Sequence, residues 1–323
     1  MQNEVSSLYL SERYCPALPA PRVFAWCDTG VEGDEIQVIR RSESVSAAGS
    51  GMEIDVVKHP EGDEGSCESG WLLMTRRPGR VLNPDSDLVG EAGHRIMKEL
   101  ARLVAQMRRD IPSADRVGNL RSSEPESCFG VLPGVGDKMR MEIKGLLNCT
   151  HVSDKSIHSA QEYHQIRLQD KLAVVRTEDV FAPQRERLLR VVKHFLTNDL
   201  PGLQLFQKQP APPTFIFTNY DFSPRNILVS GTPPTVTGLL DFEFAGFFPP
   251  EEDFANNAVC NEGNWPGDAY EVFLGDLERL GVETPAKGFA ERVWRAAMLL
   301  MELIEMWLHS GYARVIVWKR ERC

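Results

Sequence analysis

The stretch Phe217-Thr218-Asn219-Tyr220-Asp221-Phe222-Ser223-Pro224-Arg225-Asn226-Ile227-Leu228-Val229 decides how this chain is read. Its first residues, with Thr214–Phe217 apolar or β-branched, form a strand that delivers the backbone to Asp221. Ser223-Pro224 makes a tight turn, and Asn226 then enters a second strand. A D-x-x-x-x-N spacing can aim a carboxylate and an amide oxygen at one small volume. Fifteen residues after Asn226, another strand, Val236–Leu240, ends in Asp241-Phe242-Glu243. Gly231-Thr232-Pro233-Pro234 between them reads as a turn, so the two strands form a hairpin and Asn226 and Asp241 meet across it.

Phosphoryl transfer needs such a set. ATP brings several negative charges that Mg2+ neutralises, and this ion takes hard oxygen ligands. An acceptor hydroxyl needs a carboxylate within reach to orient it and take its proton. Asp221 suits the base, and Asn226 and Asp241 suit the metal. Protein kinases use the same order of catalytic Asp, Asn and following metal Asp.

These residues resemble those of the aminoglycoside phosphotransferase and choline kinase superfamily, especially its fungal small-molecule phosphotransferases. The family pattern is a strand, HGD or HND, x-x-P-x-N-I-L-V, a short hairpin, I-D-[FW]-E-[FY]-A-G and a later acidic-Asp-apolar element. Here these stand as TNYDFSPRNILV, LLDFEFAG and Pro250-Glu251-Glu252-Asp253-Phe254. The resemblance implies ATP and Mg2+ as cofactors and a small-molecule acceptor. It makes Asp253 the acid that steadies the catalytic loop, with Asn219 and Glu243 in supporting places. It places the hinge between lobes in GWLLMTRRPGRVL, with Leu72, Leu73, Met74 and Thr75 beside adenine. It likens Glu4–Trp26 to the front-lobe helix and following strand. Two departures stand out. Asn219 and Tyr220 replace the family's His and its Gly or Asn. Glu4 takes the place of the acid that pairs with a phosphate-binding Lys, yet the strands bearing that Lys do not precede it; Lys58 is a strand lysine that follows.

The rest of the chain is consistent with this reading. Its 323 residues suit one large or two moderate domains, and 42% hydrophobic content with 25% charged is ordinary for a globular protein. A net charge of −10 gives no general attraction for nucleic acid or anionic membrane, and can favour a cationic acceptor. Seven dispersed cysteines without a CxxC pair point to reduced thiols in a cytoplasmic protein. The first residues lack the basic start and apolar core of a signal peptide, and Val293–Leu308 is too short and too charged to span a bilayer.

Apolar spacing predicts helices at 3–14, 88–109, 161–175, 183–197, 269–280 and 289–310, and strands at 22–26 and 70–75. Residues 110–160 read as irregular. The expected fold is α+β: a protein-kinase-like, two-lobed arrangement with a truncated or atypical front lobe and a mainly helical second lobe. Residues 1–82 form the partial front lobe, with an insertion at about 28–70 and the hinge at about 71–82. Residues 83–323 form the second lobe, with the catalytic loop at 217–229 and the metal-binding segment at 239–246. The expected function is ATP-dependent phosphorylation of a small molecule's hydroxyl. The alternative is a catalytically impaired pseudokinase that binds nucleotide or a protein partner, because poor alignment of the γ-phosphate removes most of this catalysis.

Overall fold

The computed structural model describes residues 2–27, 71–122, 141–147, 156–203, 206, 214–254 and 265–284. The insertion at 28–70 with Lys58, and the C-terminal helix at 289–310, lie outside the described residues.

Two strands make the front sheet. β1 (Val23–Cys27) pairs antiparallel with β2 (Trp71–Met74), Val23 opposite Met74 and Cys27 opposite Trp71. Thr75 extends the pairing: its N–H donates to Arg22 O at 2.8 Å, and its Oγ1 accepts from Arg22 N at 2.8 Å. The chain then turns at Gly79 into β3 (Arg80–Val81). Gly79 has φ +119°, and a Cβ there would stand 2.7 Å from Val229 O, so the turn requires glycine.

β3 adds to the predicted hairpin. β7 (Ile227–Ser230) pairs with β8 (Thr235–Leu239), Ile227 opposite Leu239, and the sheet order is β3-β7-β8. Arg77 Nε donates to Thr237 O at 3.1 Å and Thr237 Oγ1 to Pro78 O at 2.6 Å, so the segment between β2 and β3 is fastened to β8.

A four-stranded antiparallel sheet was not legible in the sequence. Its order is β5-β4-β9-β6, from β4 (Gly118–Ser122), β5 (Met141–Ile143), β6 (Ile216–Thr218) and β9 (Gly246–Phe248). The expectation that 110–160 is irregular is corrected here by β4 and β5. These strands are short and lack a period-2 pattern, and β4 holds the buried polar Asn119. The Asn119 amide donates to Phe244 O and Ala245 O at 2.9 and 3.0 Å, and its Oδ1 accepts from Leu147 N at 2.8 Å. Side-chain hydrogen bonds therefore replace the missing hydrophobic signal.

Helices cover these sheets. α1 (Gln2–Tyr14) lies against β4, with Val5 and Leu8 buried. Its Asn3 Nδ2 donates to Glu243 O at 2.6 Å and Ala245 O at 2.8 Å, while its Oδ1 accepts from Leu120 N at 2.5 Å. A short helix, α2 (Pro84–Asp87), leads into α3 (Gly90–Asp110). The apolar stripe Ile96, Leu100, Leu103, Val104 and Met107 is buried, packed on β6, β8 and a late helix, α6 (Gly267–Arg279). α4 (Ala160–Thr177) starts at Ser159, whose Oγ accepts from Glu162 N at 3.1 Å. α5 (Arg185–His194) packs on α4 through a second cluster that includes Leu168, Leu172, Val192 and Phe195. The class is α+β, as expected. No helix among the described residues is long and apolar enough to cross a membrane.

Gly246 joins the sheet to the site. A Cβ there would lie 2.5 Å from Gly118 O and 3.1 Å from Asn119 Cα, both backbone. Gly246→Ala is expected to lower the unfolding free energy by about 1–3 kcal/mol through overpacking, read as a lower urea midpoint at unchanged slope.

Candidate active site

β6 carries the chain to Asn219, which is 6% exposed and makes two bonds that set the loop. Its Oδ1 accepts from Asp221 N at 3.2 Å, and its Nδ2 donates to Asp241 O at 3.1 Å. Pro224–Asn226 forms one 3-10 turn, after which Leu240 N donates to Asn226 O at 2.8 Å. Asn226 Nδ2 donates to Asp221 O at 3.0 Å. That bond fixes the amide orientation and leaves Asn226 Oδ1 available as an oxygen ligand. Asn219, Asp221, Asn226 and Asp241 therefore belong to one hydrogen-bonded unit.

Two residues in this unit have left-handed backbone: Tyr220 at φ 70° and Asp241 at φ 57°. For a non-glycine residue this costs roughly 1–2 kcal/mol. Asp241 tolerates it better than most, because short polar side chains bond locally; its Oδ1 accepts from Glu243 N at 3.4 Å. Asp221 Oδ2 is engaged by Arg225 Nη2 at 2.5 Å, an ion pair one turn along the loop. The Arg225 side chain is 66% exposed and that of Asp221 17%.

Glu4 reaches the same region. Burial, then the charges of Asp241 and Glu243, hold its carboxyl above the ordinary range. Glu4, Asp241 and Glu243 thus bring three carboxyls near one another, the hard-oxygen chemistry that suits Mg2+. Among the described residues no three His, Cys, Asp or Glu side chains form a metal cluster by themselves. The residues fit an ion held by one carboxylate and one amide, with phosphate oxygens and waters completing its shell, which is how Mg2+ is usually bound.

Glu252 meets the Asn219–Asn226 loop through its side chain. Its Oε2 accepts from Tyr220 Oη at 3.1 Å, Tyr163 Oη at 2.9 Å and Arg167 Nη1 at 2.9 Å. Asp253, expected to steady the loop, accepts from Arg108 Nη2 of α3 at 2.8 Å. Arg108 also lies 4.9 Å over the Phe254 ring. Sequence reasoning missed Tyr163, Arg167 and Glu252. A Tyr and an Arg four apart on a helix carry no signal alone, and the one visible oddity was a Tyr where the family has Gly or Asn. Leu72–Thr75 lie on β2 and at its end, with Leu73 and Met74 43% and 39% exposed, and the chain then reaches the β7–β8 hairpin through β3.

Comparisons with known proteins follow this geometry. The sequence profile of the phosphotransferase enzyme family (APH) matches residues 10–288. Among solved structures, the chain is similar to a thermostable mutant of aminoglycoside phosphotransferase APH(4)-Ia, at 12% identity and TM-score 0.49, over 94% of this chain and 75% of that one. It is similar to APH(2")-IIa in complex with gentamicin at 11% identity and TM-score 0.47, over 94% and 80% of the two chains. APH(3")-Id from Streptomyces rimosus, bound to ADP and streptomycin, matches at 14% identity and TM-score 0.41, over 93% and 83%. No curated protein matches in sequence.

Glu251, next to Glu252, is a buried acid with a measurable consequence. Burial is the largest cause that pushes its carboxyl up to about 7, with the Glu252 charge adding and Arg108 opposing. A pKa raised on folding means stability that is complete below the unfolded value near 4.5 and lost as pH rises through about 7. Glu251→Gln removes this titration. The variant is expected to gain stability relative to the unaltered protein between pH 4.5 and 7, by more than about 1 kcal/mol, in denaturant titrations at each pH.

Proposed function

The chain belongs to the phosphotransferase enzyme family, and on that premise we propose that it transfers the γ-phosphate of ATP to a hydroxyl of a small-molecule acceptor. The observation that carries this reading is the bond from Asn219 Nδ2 to Asp241 O, which ties the proposed base to the proposed metal segment. Asp221 would accept the acceptor's hydroxyl hydrogen on Oδ1 and take its proton, while Arg225 occupies Oδ2. Asn226 Oδ1 and the Asp241 carboxylate would hold Mg2+, which when bound neutralises phosphate charge. Backbone groups of Leu72–Thr75 would meet adenine, Asn219 and Glu243 would hold the loop and the metal segment in place, and Glu4 would close the acidic side. Seven dispersed cysteines without a CxxC pair support a cytoplasmic setting.

Arg225 bears on the acceptor. An exposed guanidinium on the base opposes a cationic group at the same place, whereas the acids Glu4 and Glu243 attract one. A cationic acceptor would therefore place its charge away from the reacting hydroxyl.

A second reading rests on the same ion pair. If Arg225 keeps Asp221 engaged with nucleotide bound, the chain binds Mg·ATP without turnover, as a pseudokinase.

ATP consumption screened over amino-alcohols, aminoglycosides and sugars tests the reading. Turnover should appear with an acceptor hydroxyl, and Asp221→Asn should lower kcat by about 10²–10⁴-fold, the usual worth of a general base. Turnover indifferent to this substitution contradicts the assigned chemistry, and Mg·ATP binding without turnover on any acceptor supports the second reading. Arg225→Ala should shift kcat/KM toward cationic acceptors over neutral ones by about fivefold, the scale of one exposed charge interaction.

A further inference from the structure

Tyr220 stands immediately before the proposed base, in a backbone conformation that tyrosine adopts only when it is held there. Its ring is held on two sides. Phe248 of β9 packs against it with centroids 4.6 Å apart. On the other side its Oη donates to Glu252 Oε2 at 3.1 Å, lies 3.2 Å from Tyr163 Oη, and the ring sits 5.9 Å below the Arg167 guanidinium. Glu252 and Arg167 are 1% and 3% exposed and pair at 2.9 Å. Arg167 also donates to Tyr163 Oη at 2.9 Å, so one buried guanidinium serves both the acid and the second phenol. His164 Nε2 stands 3.8 Å from Glu252 Oε1, but burial and then Arg167 draw its pKa down to about 3, so it is neutral and leaves the cationic role to Arg167.

We propose that Glu252, Arg167 and Tyr163 form a positioning clamp on Tyr220 that keeps its left-handed backbone and thereby sets the direction of the Asp221 carboxylate. The clamp stands by itself, whereas its consequence for chemistry rests on the reading of Asp221 as base. The mechanical link is short. The peptide between Tyr220 and Asp221 is fixed at one end by the Tyr220 ring and at the other by Asp221 N donating to Asn219 Oδ1. A released ring lets residue 220 relax toward negative φ, the ordinary region for tyrosine, and that rotates this peptide plane. The rotation carries Asp221 O away from Asn226 Nδ2, now 3.0 Å distant, and turns the carboxylate with it. A small residue at this place, such as Gly or Asn, accepts the conformation without help. Tyrosine here makes the loop depend on groups from α4 and from the segment after β9.

The test uses the full chain with Tyr220→Phe, Glu252→Gln and Tyr220→Asn. Hydrogen exchange is followed at the Asp221, Ser223 and Asn226 amides, and kcat and KM for ATP are measured with whichever acceptor turns over. Tyr220→Phe and Glu252→Gln should each speed exchange at these amides at least tenfold with core amides unchanged. Each should lower kcat about tenfold with less than twofold change in KM, and the double variant should be no worse than either single one. In the Tyr220→Asn background, Glu252→Gln should add no further loss. Unchanged exchange at the three amides in Tyr220→Phe overturns the clamp, as does exchange that rises equally throughout the protein. A loosened loop with unchanged kcat overturns its link to the base. Tyr220→Phe removes one hydroxyl and keeps the ring, so it decides the matter should Glu252→Gln fail to fold. If the unaltered protein turns over no acceptor, the phosphotransfer reading fails while the exchange result still decides the clamp.

Discussion

The side-chain amide of Asn219 is the tie on which the rest of the site depends. One end holds Asp221 N at 3.2 Å and the other holds Asp241 O at 3.1 Å. A buried amide with both ends engaged is fixed in orientation, since releasing either leaves an unsatisfied polar group at a cost of about 1–3 kcal/mol. Through this residue the end of β6 and the end of β8 become one rigid unit, although 22 residues separate the bonded groups. A histidine at the same position would engage the loop through a ring; the asparagine does so with one acceptor and one donor pointing in opposite directions.

The tie concentrates unfavourable terms in a small volume. Two non-glycine residues sit in left-handed backbone, and Glu4, Asp241 and Glu243 bring like charges together. Such terms persist where the surroundings over-determine the conformation. Asn3 of α1 binds the carbonyls of Glu243 and Ala245, Asn119 of β4 binds those of Phe244 and Ala245, and Leu240 is laddered to Asn226. The backbone after Asp241 is thus gripped by two asparagines from distant parts of the chain. Phosphoryl transfer depends on alignment and charge placement more than on covalent participation by the protein, so a site of this kind is better served by rigidity than by reactive groups.

Some of this was legible in the sequence and some was not, for physical reasons. The α3 stripe follows the 3.6-residue period over about three turns, and the helix was readable to within two residues at its start. The hairpin was readable because turn residues separate two apolar runs; its register sets Asn226 opposite Leu240, the residue before Asp241. β4, β5 and β9 are three to five residues long and owe their pairing to Asn119, to close glycine contacts and to partners far along the chain. Local pattern cannot encode that. The motif directed attention to Asp253, which pairs with Arg108, and not to its neighbour Glu252, which accepts from Tyr220. Tyr163 and Arg167 are 57 and 53 residues from Tyr220, and only folding brings them together.

The central claim is that Asn226 and Asp241 hold a divalent ion against the phosphates of a nucleotide tied to the Asp221 loop. Calorimetric titration of ATP with and without Mg2+, on the unaltered chain and on Asp241→Asn, tests it most directly. The account predicts ATP binding that requires Mg2+ and is weakened at least tenfold by the substitution. ATP binding that is equally strong without the ion and in the Asp241→Asn variant would contradict it.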